Sequence, residues 1–475
     1  MTRRSWARLS LCVGALALAA CSQSSAPSAS TPPAQRTSTP SAAAPSSAAT
    51  PPAPESWTAY HADDARSGAV GASTTFRLAR AWSDDLGGAV RGQALVYAQR
   101  VVAATENNRV VALDPRDGAV IWSTSLGRPL TDVQSVAGCG DVDPLGVTST
   151  PVIDPRTATV YVVGEVDLGH GEVVHRLEGL SLATGAVRLT DDVDPPLPPG
   201  EHPAQLLQRA SLALGNGRVY VAYGGNDGDC GTYNGAVVGV DETGPARPVS
   251  FRVAPDGHGG AIWESGGAPA LDAAGNVYVT TGNSNPDPPN GGPDPKRYTE
   301  SVVKLTPTLK PIASFKDRIA GGDEDLATGN PVLLPNGQVF AVGKTDVAFV
   351  LRQSDLTQVA AIRHVCGSDP DGGPAYDAAD QRMFVPCSGG GIQVVDLADH
   401  KVGPRLSGAD SSPMIIGDHV WALDHTRSTL VEFDAHTTRR IRSVRVGPAI
   451  PSFESPSTAL GLLLVPTAAG VTALR

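Results

Sequence analysis

The sequence lacks the short patterns that identify most common catalytic and metal sites. Its ten histidines show no H-E-x-x-H spacing, and neither a G-x-S-x-G nucleophile turn nor a phosphate-cradling glycine loop is present. Its six cysteines form no C-x-x-C pair and no C-x-x-C-H haem attachment motif. These absences argue against zinc-hydrolase, serine-hydrolase, nucleotide-phosphate and c-type haem sites.

Lysine is scarce as well. Only 6 of the 37 basic residues are lysine, and the 48 acidic residues give a formal net charge of −11. A protein of this charge has little with which to neutralise phosphates, so we expect no nucleic-acid partner. The preference for arginine over lysine is typical of high-GC genomes.

No apolar run is long enough to span a bilayer as a mature helix. The run Leu9 to Ala20 follows three arginines and ends in Leu18-Ala19-Ala20-Cys21, which resembles the bacterial lipobox. The resemblance implies that residues 1–20 are a lipoprotein signal peptide and that Cys21 is lipidated, anchoring the chain to the cell membrane on its extracytoplasmic face. A simple secretory signal is the alternative, and the export route, general or twin-arginine, stays open.

A low-complexity stretch follows. From Ser22 to Glu55, 30 of 34 residues are Ser, Ala, Pro or Thr, which cannot bury enough surface to fold. We therefore predict a disordered linker over residues 21–55 and a folded domain over residues 56–475.

That domain is rich in turn formers. The chain has 52 Gly and 40 Pro, too many for a mainly helical protein. The stretch Asn107 to Gly127 shows an alternating strand, a Pro/Asp/Gly turn and a second strand containing Trp122. Its pattern A-L-D-x-x-x-G-x-x-x-W resembles the repeat of the pyrroloquinoline-quinone-type β-propellers, a family that includes quinoprotein alcohol dehydrogenases and the BamB-like lipoproteins.

Further strand pairs, each centred on an aromatic or β-branched marker, recur along the chain. The markers are Val102, Tyr161, Tyr220, Tyr278, Phe340, Phe384, Trp421 and Val465. Their number predicts an all-β fold, an eight-bladed β-propeller of four-stranded antiparallel blades. A seven-bladed ring with irregular flanks is the alternative.

The two ends of the domain support closure of the ring. Val471 to Arg475 matches the template up to its first strand, and Phe76 to Trp82 resembles the missing last strand. Pairing them would complete the eighth blade and remove an open sheet edge. The preceding segment Trp57 to His61 resembles the lead-in of such propellers, and we interpret it as a packed aromatic arm.

In a propeller of this kind, all the long segments fall on one face. They are Leu126–Thr148, Val187–Arg209, Pro255–Gly267 and Lys316–Thr328 before inner strands, and Gly224–Asn234 and Asn283–Thr299 in mid-blade. The four cysteines other than Cys21 and Cys12 lie on the same face. An exported protein permits disulfides, and of the three connectivities the blade positions favour Cys139–Cys230 and Cys366–Cys387.

The family resemblance also implies a candidate site. In the quinoprotein dehydrogenases a Trp forms the floor beneath the quinone, and a following T-G-N segment supplies an oxygen to calcium. Here Trp263 precedes Thr281-Gly282-Asn283, and Asp323-Glu324-Asp325 follows. This correspondence implies Trp263 as a cofactor-binding residue, Asn283 and Asp325 as metal ligands, and Asp323 or Asp325 as the catalytic base.

The sequence departs from that family pattern in the segment between Trp263 and Asn283, which is slightly longer, and at two further points. Cys139 is followed by Gly140 and not by a second cysteine, and the position of the calcium-binding glutamate is held by His170, with Glu172 nearest. We therefore predict a lipid-anchored, non-catalytic, monomeric propeller without cofactor. Its long-loop face would bind an envelope protein or another surface ligand. The alternative is a dehydrogenase of alcohols or sugars that depends on pyrroloquinoline quinone and calcium.

Overall fold

The computed structural model describes residues 55–71, 75–197, 199–244, 248–285, 297–318 and 323–475. The predicted signal peptide, Cys21 and the linker up to residue 54 lie outside these ranges, as does most of the predicted mid-blade segment Asn283–Thr299. Within the described residues, no helix has the length and apolar character needed to cross a membrane.

The fold is an eight-bladed β-propeller of four-stranded antiparallel sheets with almost no helix. We number the blades 1 to 8 and their strands A, innermost, to D, outermost. Blades 1 to 4 comprise Leu95–Tyr97, Arg100–Thr105, Arg109–Leu113, Val120–Ser125; Val152–Asp154, Thr159–Gly169, Glu172–Ser181, Val187–Asp192; Ala213–Gly215, Arg218–Gly225, Ala236–Asp241, Val249–Arg252; and Ala270–Leu271, Val277–Thr280, Ser301–Leu305, Pro311–Lys316.

Blades 5 to 8 comprise Val332–Leu334, Gln338–Val342, Val347–Arg352, Gln358–Arg363; Ala375–Asp377, Arg382–Cys387, Gly391–Asp396, Lys401–Leu406; Met414–Ile416, His419–Asp424, Thr429–Asp434, Arg440–Arg445; and Ser457–Ala459, Leu462–Pro466, Gly470–Leu474, Arg80–Asp85. The remaining elements are short: the strands Ala69–Val70, Leu206–Leu207, His258–Gly259 and Ser284–Asn285, the helix Val133–Ala137, and the 3-10 turns Pro203–Gln205, Glu264–Gly266 and Leu326–Thr328.

All eight predicted markers lie in strand B of successive blades, and all are buried. Strand B has a strand on either side in its own sheet and a neighbouring blade against each face. Apolar side chains are therefore needed on both faces, which is why this strand carries the strongest sequence signal.

The ring closes as predicted. The prediction of eight blades is therefore confirmed, and the seven-bladed alternative is excluded. Strand Arg80–Asp85 pairs antiparallel with Gly470–Leu474, and Trp82 lies opposite Ala473. The Trp82 indole donates a hydrogen bond to the carbonyl of Pro115 in blade 1, at 3.1 Å. Blade 8 is thus joined from both ends of the domain and is also tied to the next blade.

The same contact explains the repeat pattern. Trp122 of blade 1 donates to the carbonyl of Leu182 in blade 2, at 2.8 Å, and its ring lies where a Cβ on Gly185 would be. Gly185 has a φ of 71°, which glycine adopts without strain. Gly185, like Gly118 beside Trp82, therefore both makes the turn and leaves room for the tryptophan of the preceding blade.

The aromatic arm packs as predicted, and it reaches further around the ring than the sequence indicates. Trp57 is 1% exposed and forms an antiparallel bridge with Val96 of blade 1. Backbone carbonyls further along the arm accept hydrogen bonds from the inner strands of blades 2, 4, 5, 6 and 7, donated by Ile153, Leu271, Leu333, Tyr376 and Ile415. The arm covers inner strand edges that would otherwise be unpaired.

The direction of the arm identifies the face from which it enters. Each strand A runs from the long-loop face towards the opposite face, which carries the tight turns and which we call the turn face. The arm is antiparallel to strand A of blade 1 and, at Ala69–Val70, parallel to strand A of blade 7. It therefore enters and leaves the ring at the turn face.

One predicted loop is partly wrong. In the segment Val187–Arg209, residues Val187–Asp192 form strand D of blade 2 and only the remainder is loop. An outermost strand has little of its surface buried, so most of its side chains can be polar, as Arg188 and Asp191 are. The alternation of apolar and polar residues that marks a strand is therefore weak here. In the predicted segment Asn283–Thr299, Ser284–Asn285 pairs with His258–Gly259.

Candidate functional site

A cavity of about 410 Å³ opens on the long-loop face, between blades 3, 4 and 5. Its volume lies within the range of about 300–1,000 Å³ found for ligand pockets. Its lining residues are Gly225, Asn226, Asp227, Gly228, Asp229, Ala261, Trp263, Asp323, Asp325, Ala327 and Lys344. Three residues singled out from the sequence, Trp263, Asp323 and Asp325, are thus brought together.

Trp263 forms part of the cavity wall. Its indole lies 2.8 Å from where a Cβ on Gly224 would be, so the glycine of strand B in blade 3 is needed for this close approach. On the other side the ring centroid is 6.4 Å from that of Phe453, which precedes strand A of blade 8. The half-buried indole therefore has fixed neighbours and still contributes a surface to the cavity.

Asp325 is held by the T-G-N segment itself. The backbone N–H of Asn283 donates to Asp325 Oδ1 at 2.9 Å, and a Cβ on Gly282 would lie only 2.1 Å from that oxygen. Lys344 Nζ donates to Asp325 Oδ2 at 3.2 Å. Burial raises the pKa of Asp325 to about 6, although Lys344 opposes the shift. Both oxygens of this carboxylate thus already have protein donors.

Among the described lining residues Lys344 is the sole cation, and it is shared between two carboxylates. Its Nζ lies 2.5 Å from Asp323 Oδ1 as well as 3.2 Å from Asp325 Oδ2. Although burial lowers the pKa of Lys344, the two carboxylates outweigh it and raise the pKa above its usual value. Nearby, burial raises the pKa of Asp371 to about 7, and Asp369 adds to the shift. The lining carries four carboxylates and one ammonium group.

Both predicted disulfides are confirmed. Cys139 is bonded to Cys230 and Cys366 to Cys387, with Cα atoms 5.8 Å and 5.4 Å apart. The first of them packs against the cavity, since a Cβ on Gly228 would lie 3.3 Å from Cys139 Cβ. It therefore joins the loop after blade 1 to the loop of blade 3 that supplies Asn226 to Asp229.

Removing Cys139–Cys230 is expected to loosen that loop. The Cys139→Ser/Cys230→Ser variant should lose about 2–4 kcal/mol of unfolding free energy in urea, because a link between distant residues restricts the unfolded chain strongly. Limited proteolysis should then cut between residues 126 and 148. The matched control, Cys366→Ser/Cys387→Ser, closes a much shorter loop and should leave that segment resistant; cleavage there in both variants would contradict the assignment.

These residues do not fit the quinone and calcium that the family resemblance implies. A calcium ion takes about 6–8 oxygen ligands, whereas both Asp325 oxygens are occupied by N–H donors. Glu172 and His170 lie at the exposed tip of the hairpin in blade 2 and are not among the lining residues. A quinone with several carboxylates would also meet an acidic lining in which the one cation that the structure describes, Lys344, is already paired.

Several lining residues carry no sequence signal that would have identified them. Asn226 to Asp229 lie in a mid-blade loop, and Lys344 precedes strand C of blade 5 in an ordinary turn. Elsewhere, among the described residues, one group has donor atoms close enough together for a metal, namely Asp377, Asp380 and His436. It lies on the turn face, away from the cavity, where His436 is hydrogen-bonded to Asp380.

Comparisons with known proteins agree with this architecture. Residues 64–285 match the family model described as outer membrane protein assembly factor BamB. Quinohemoprotein alcohol dehydrogenase from Comamonas testosteroni superposes with a TM-score of 0.67 at 16% identity, covering 88% of this chain and 77% of that one. A europium-containing methanol dehydrogenase superposes with a TM-score of 0.68 at 14% identity, covering 88% of this chain and 90% of that one.

BamB from Moraxella catarrhalis superposes with a TM-score of 0.57 at 14% identity, covering 84% of this chain and 99% of that one. No curated protein sequence matches the chain. The predicted resemblance to the pyrroloquinoline-quinone-type repeat propellers is therefore confirmed. At these identities the likeness shows the fold, and that fold is shared by dehydrogenases and by BamB.

Proposed function

We propose that this protein is an extracytoplasmic, lipid-anchored β-propeller that binds an envelope protein through its long-loop face and performs no catalysis. The observation that carries the proposal is the opposite placement of two features. The cavity, its acidic lining and the disulfide Cys139–Cys230 lie on the long-loop face, whereas the arm enters at the turn face. A lipid at Cys21 would therefore be attached through the face that lacks the site.

Anchoring is tested in cells of the source organism. The wild-type chain should remain with the membrane after a high-salt wash and incorporate a radiolabelled fatty acid. The Cys21→Ser variant should do neither and should be recovered unprocessed or in a washable form. Label incorporation that persists in the Cys21→Ser variant would contradict the anchor.

Binding is tested by site-specific photo-crosslinking in the same cells. A photoreactive residue at Asp256, exposed on the long-loop face, should give one reproducible crosslinked protein. The same residue at Arg116, exposed in a turn on the opposite face, serves as the matched control and should not. Equal crosslinking from both positions, or none from either, would contradict a partner on this face.

The second candidate function is a quinone-dependent dehydrogenase, favoured by the meeting of Trp263, Asp323 and Asp325 at one cavity. We expect the purified chain, incubated with calcium and pyrroloquinoline quinone, to reduce no dye with a panel of alcohols and sugars. Isothermal titration should likewise show no calcium-dependent uptake of the quinone. Dye reduction that is lost in both Asn283→Ala and Asp325→Ala would replace the scaffold proposal with the enzyme.

A further inference from the structure

The charge of the cavity extends beyond its lining. We call Asp227, Asp229 and Asp323 of the lining, together with the neighbouring Glu324, Asp369 and Asp371, the acidic rim. Asp369 and Asp371 belong to the loop before blade 6. Glu324 is near enough to Asp323 and Asp369 for both to raise its pKa, after the larger effect of burial. The ionised carboxylates of the rim therefore add to one negative field beside the cavity.

Little within the described residues offsets this field. Lys344 pairs with Asp323 and Asp325, while Asp229 accepts a hydrogen bond from the Tyr233 hydroxyl at 2.6 Å. The side chain of Asp227 is exposed and makes no hydrogen bond or ion pair with any described residue. An incoming cation would therefore find carboxylate oxygens that the fold itself does not use.

The cavity also offers an aromatic surface. The Trp263 indole lines the same space as Asp227, Asp323 and Asp325. A cation beside an indole face gains about 0.5–2 kcal/mol from the ring quadrupole, with arginine the more frequent partner. Carboxylates arranged around an aromatic wall are the combination that recognises a guanidinium or ammonium group.

We propose that this cavity receives an arginine or lysine side chain from a basic segment of the partner protein. The proposal rests on the binding function proposed above and names the chemistry of the partner. A segment is favoured over a small free cation because the acidic rim spans loops of blades 3, 4, 5 and 6, wider than one ammonium group can contact. The long side chain lies along Trp263, and its charged end pairs with the rim carboxylates.

The test uses the purified full chain and acetyl-triarginine-amide as the probe, with Trp fluorescence and isothermal titration as readouts. We expect saturable binding that weakens as salt is raised. The Asp227→Asn/Asp323→Asn variant should bind at least tenfold more weakly, and Trp263→Leu should lose the fluorescence change. The control Asp117→Asn/Asp399→Asn removes two exposed carboxylates from the turn face and should bind within twofold of wild type.

Three results would overturn the inference. The first is an absence of saturable binding of the triarginine probe, and the second is an equal loss of probe affinity in the rim variant and in the turn-face control. The third is that free L-argininamide binds as tightly as the probe, which would assign the cavity to a small cation. Circular dichroism establishes that each variant is folded. If the photo-crosslinked partner is still captured by the rim variant, the binding function stands and the cavity assignment fails.

Discussion

A chain that begins at residue 88, without the arm and without strand Arg80–Asp85, is expected to aggregate instead of folding. Blade 8 would keep three strands, and Gly470–Leu474 would become an open edge with unpaired N–H and C=O groups. Trp82, 6% exposed in the native chain, would also leave its position against blade 1. Removal of a buried Trp side chain alone costs about 3–5 kcal/mol.

A truncation series separates the contributions of the closing strand and the arm. A chain that begins at residue 55 keeps both elements and should unfold at the same temperature as the full chain. One that begins at residue 75 keeps the strand and loses the arm; it should fold, with a lower unfolding temperature. Scanning calorimetry and size-exclusion chromatography distinguish these results. A monomeric, cooperatively unfolding chain that begins at residue 88 would show that the ring closes without this strand.

Loss of the arm is expected to lower the unfolding temperature because the arm carries one buried cation, Arg66. Arg66 is 0% exposed, and its guanidinium donates to the carbonyls of Pro269, Tyr60 and Asp63, at distances from 2.8 to 3.2 Å. Burial lowers the pKa of Arg66, and the neighbouring carboxylates oppose the shift. The arginine thus joins the arm to the loop that precedes strand A of blade 4.

The sequence predicts the repeated parts of this fold well because packing imposes the same requirement eight times. Each strand B must be apolar on both faces, so it leaves a periodic signal. In two of the turns a glycine also seats the tryptophan of the preceding blade, Gly118 beside Trp82 and Gly185 beside Trp122. Strands A and D are short or lightly covered and leave little signal, which is why Val187–Asp192 was predicted as loop. Closure of the ring was predictable because the domain ends in an incomplete repeat, Val471 to Arg475, and begins with the strand that this repeat lacks, Phe76 to Trp82.

Prolines beside the inner strands are a further periodic feature of the sequence. In six of the eight blades a proline opens or immediately precedes strand A, at Pro151, Pro269, Pro331, Pro374, Pro413 and Pro456. Polar residues just before some of these prolines link neighbouring blades around the axis. The Thr150 hydroxyl accepts from the backbone of Gln93 at 2.9 Å, and the backbone of Thr150 donates to the Ser211 hydroxyl at 3.1 Å.

Only those residues of the candidate site that belong to a family motif could be predicted from the sequence. Trp263, Asp323 and Asp325 were identified from the resemblance, and the cavity brings them together. The resemblance did not indicate that Asn283 holds Asp325 through its backbone N–H. Nor could it indicate Asp227 or Lys344, since these residues lie outside the motifs that carry the resemblance. Their meeting depends on the geometry of the ring.

The second large effect concerns a buried histidine in blade 2. The His175 side chain is 0% exposed, with Nδ1 at 2.8 Å from Asp194 and Nε2 at 3.6 Å from Glu165. The edge of Tyr223 packs against its ring, with centroids 5.1 Å apart. Burial alone would lower the pKa of His175, but the hydrogen bond to Asp194 and the nearby carboxyl group of Glu165 outweigh it and raise the pKa to about 10. We therefore expect an imidazolium that is hydrogen-bonded to the Asp194 carboxylate and faces Glu165, whose own pKa is raised by burial.

The sign of the pH dependence follows from that shift. A raised pKa in the folded state means that the stabilisation is complete below the unfolded-state pKa of about 6.5 and is lost as the pH rises through the folded-state value. We expect the free energy of unfolding of the wild-type chain, relative to His175→Asn, to be largest at pH 6. The difference should shrink by about 1 kcal/mol per pH unit between pH 7 and pH 9.

Urea titrations of both proteins at pH 6, 7, 8 and 9 measure this difference. Burial also raises the pKa values of Glu106, Glu264 and Glu454, so the stability of both proteins should fall with rising pH; that common part cancels when the variant is subtracted. His364→Asn is the matched control, because the His364 side chain is 91% exposed and should give a difference near zero throughout. A difference for His175→Asn that stays constant from pH 6 to pH 9 would mean that His175 is buried in its neutral form, leaving Glu165 and Asp194 without a positive partner.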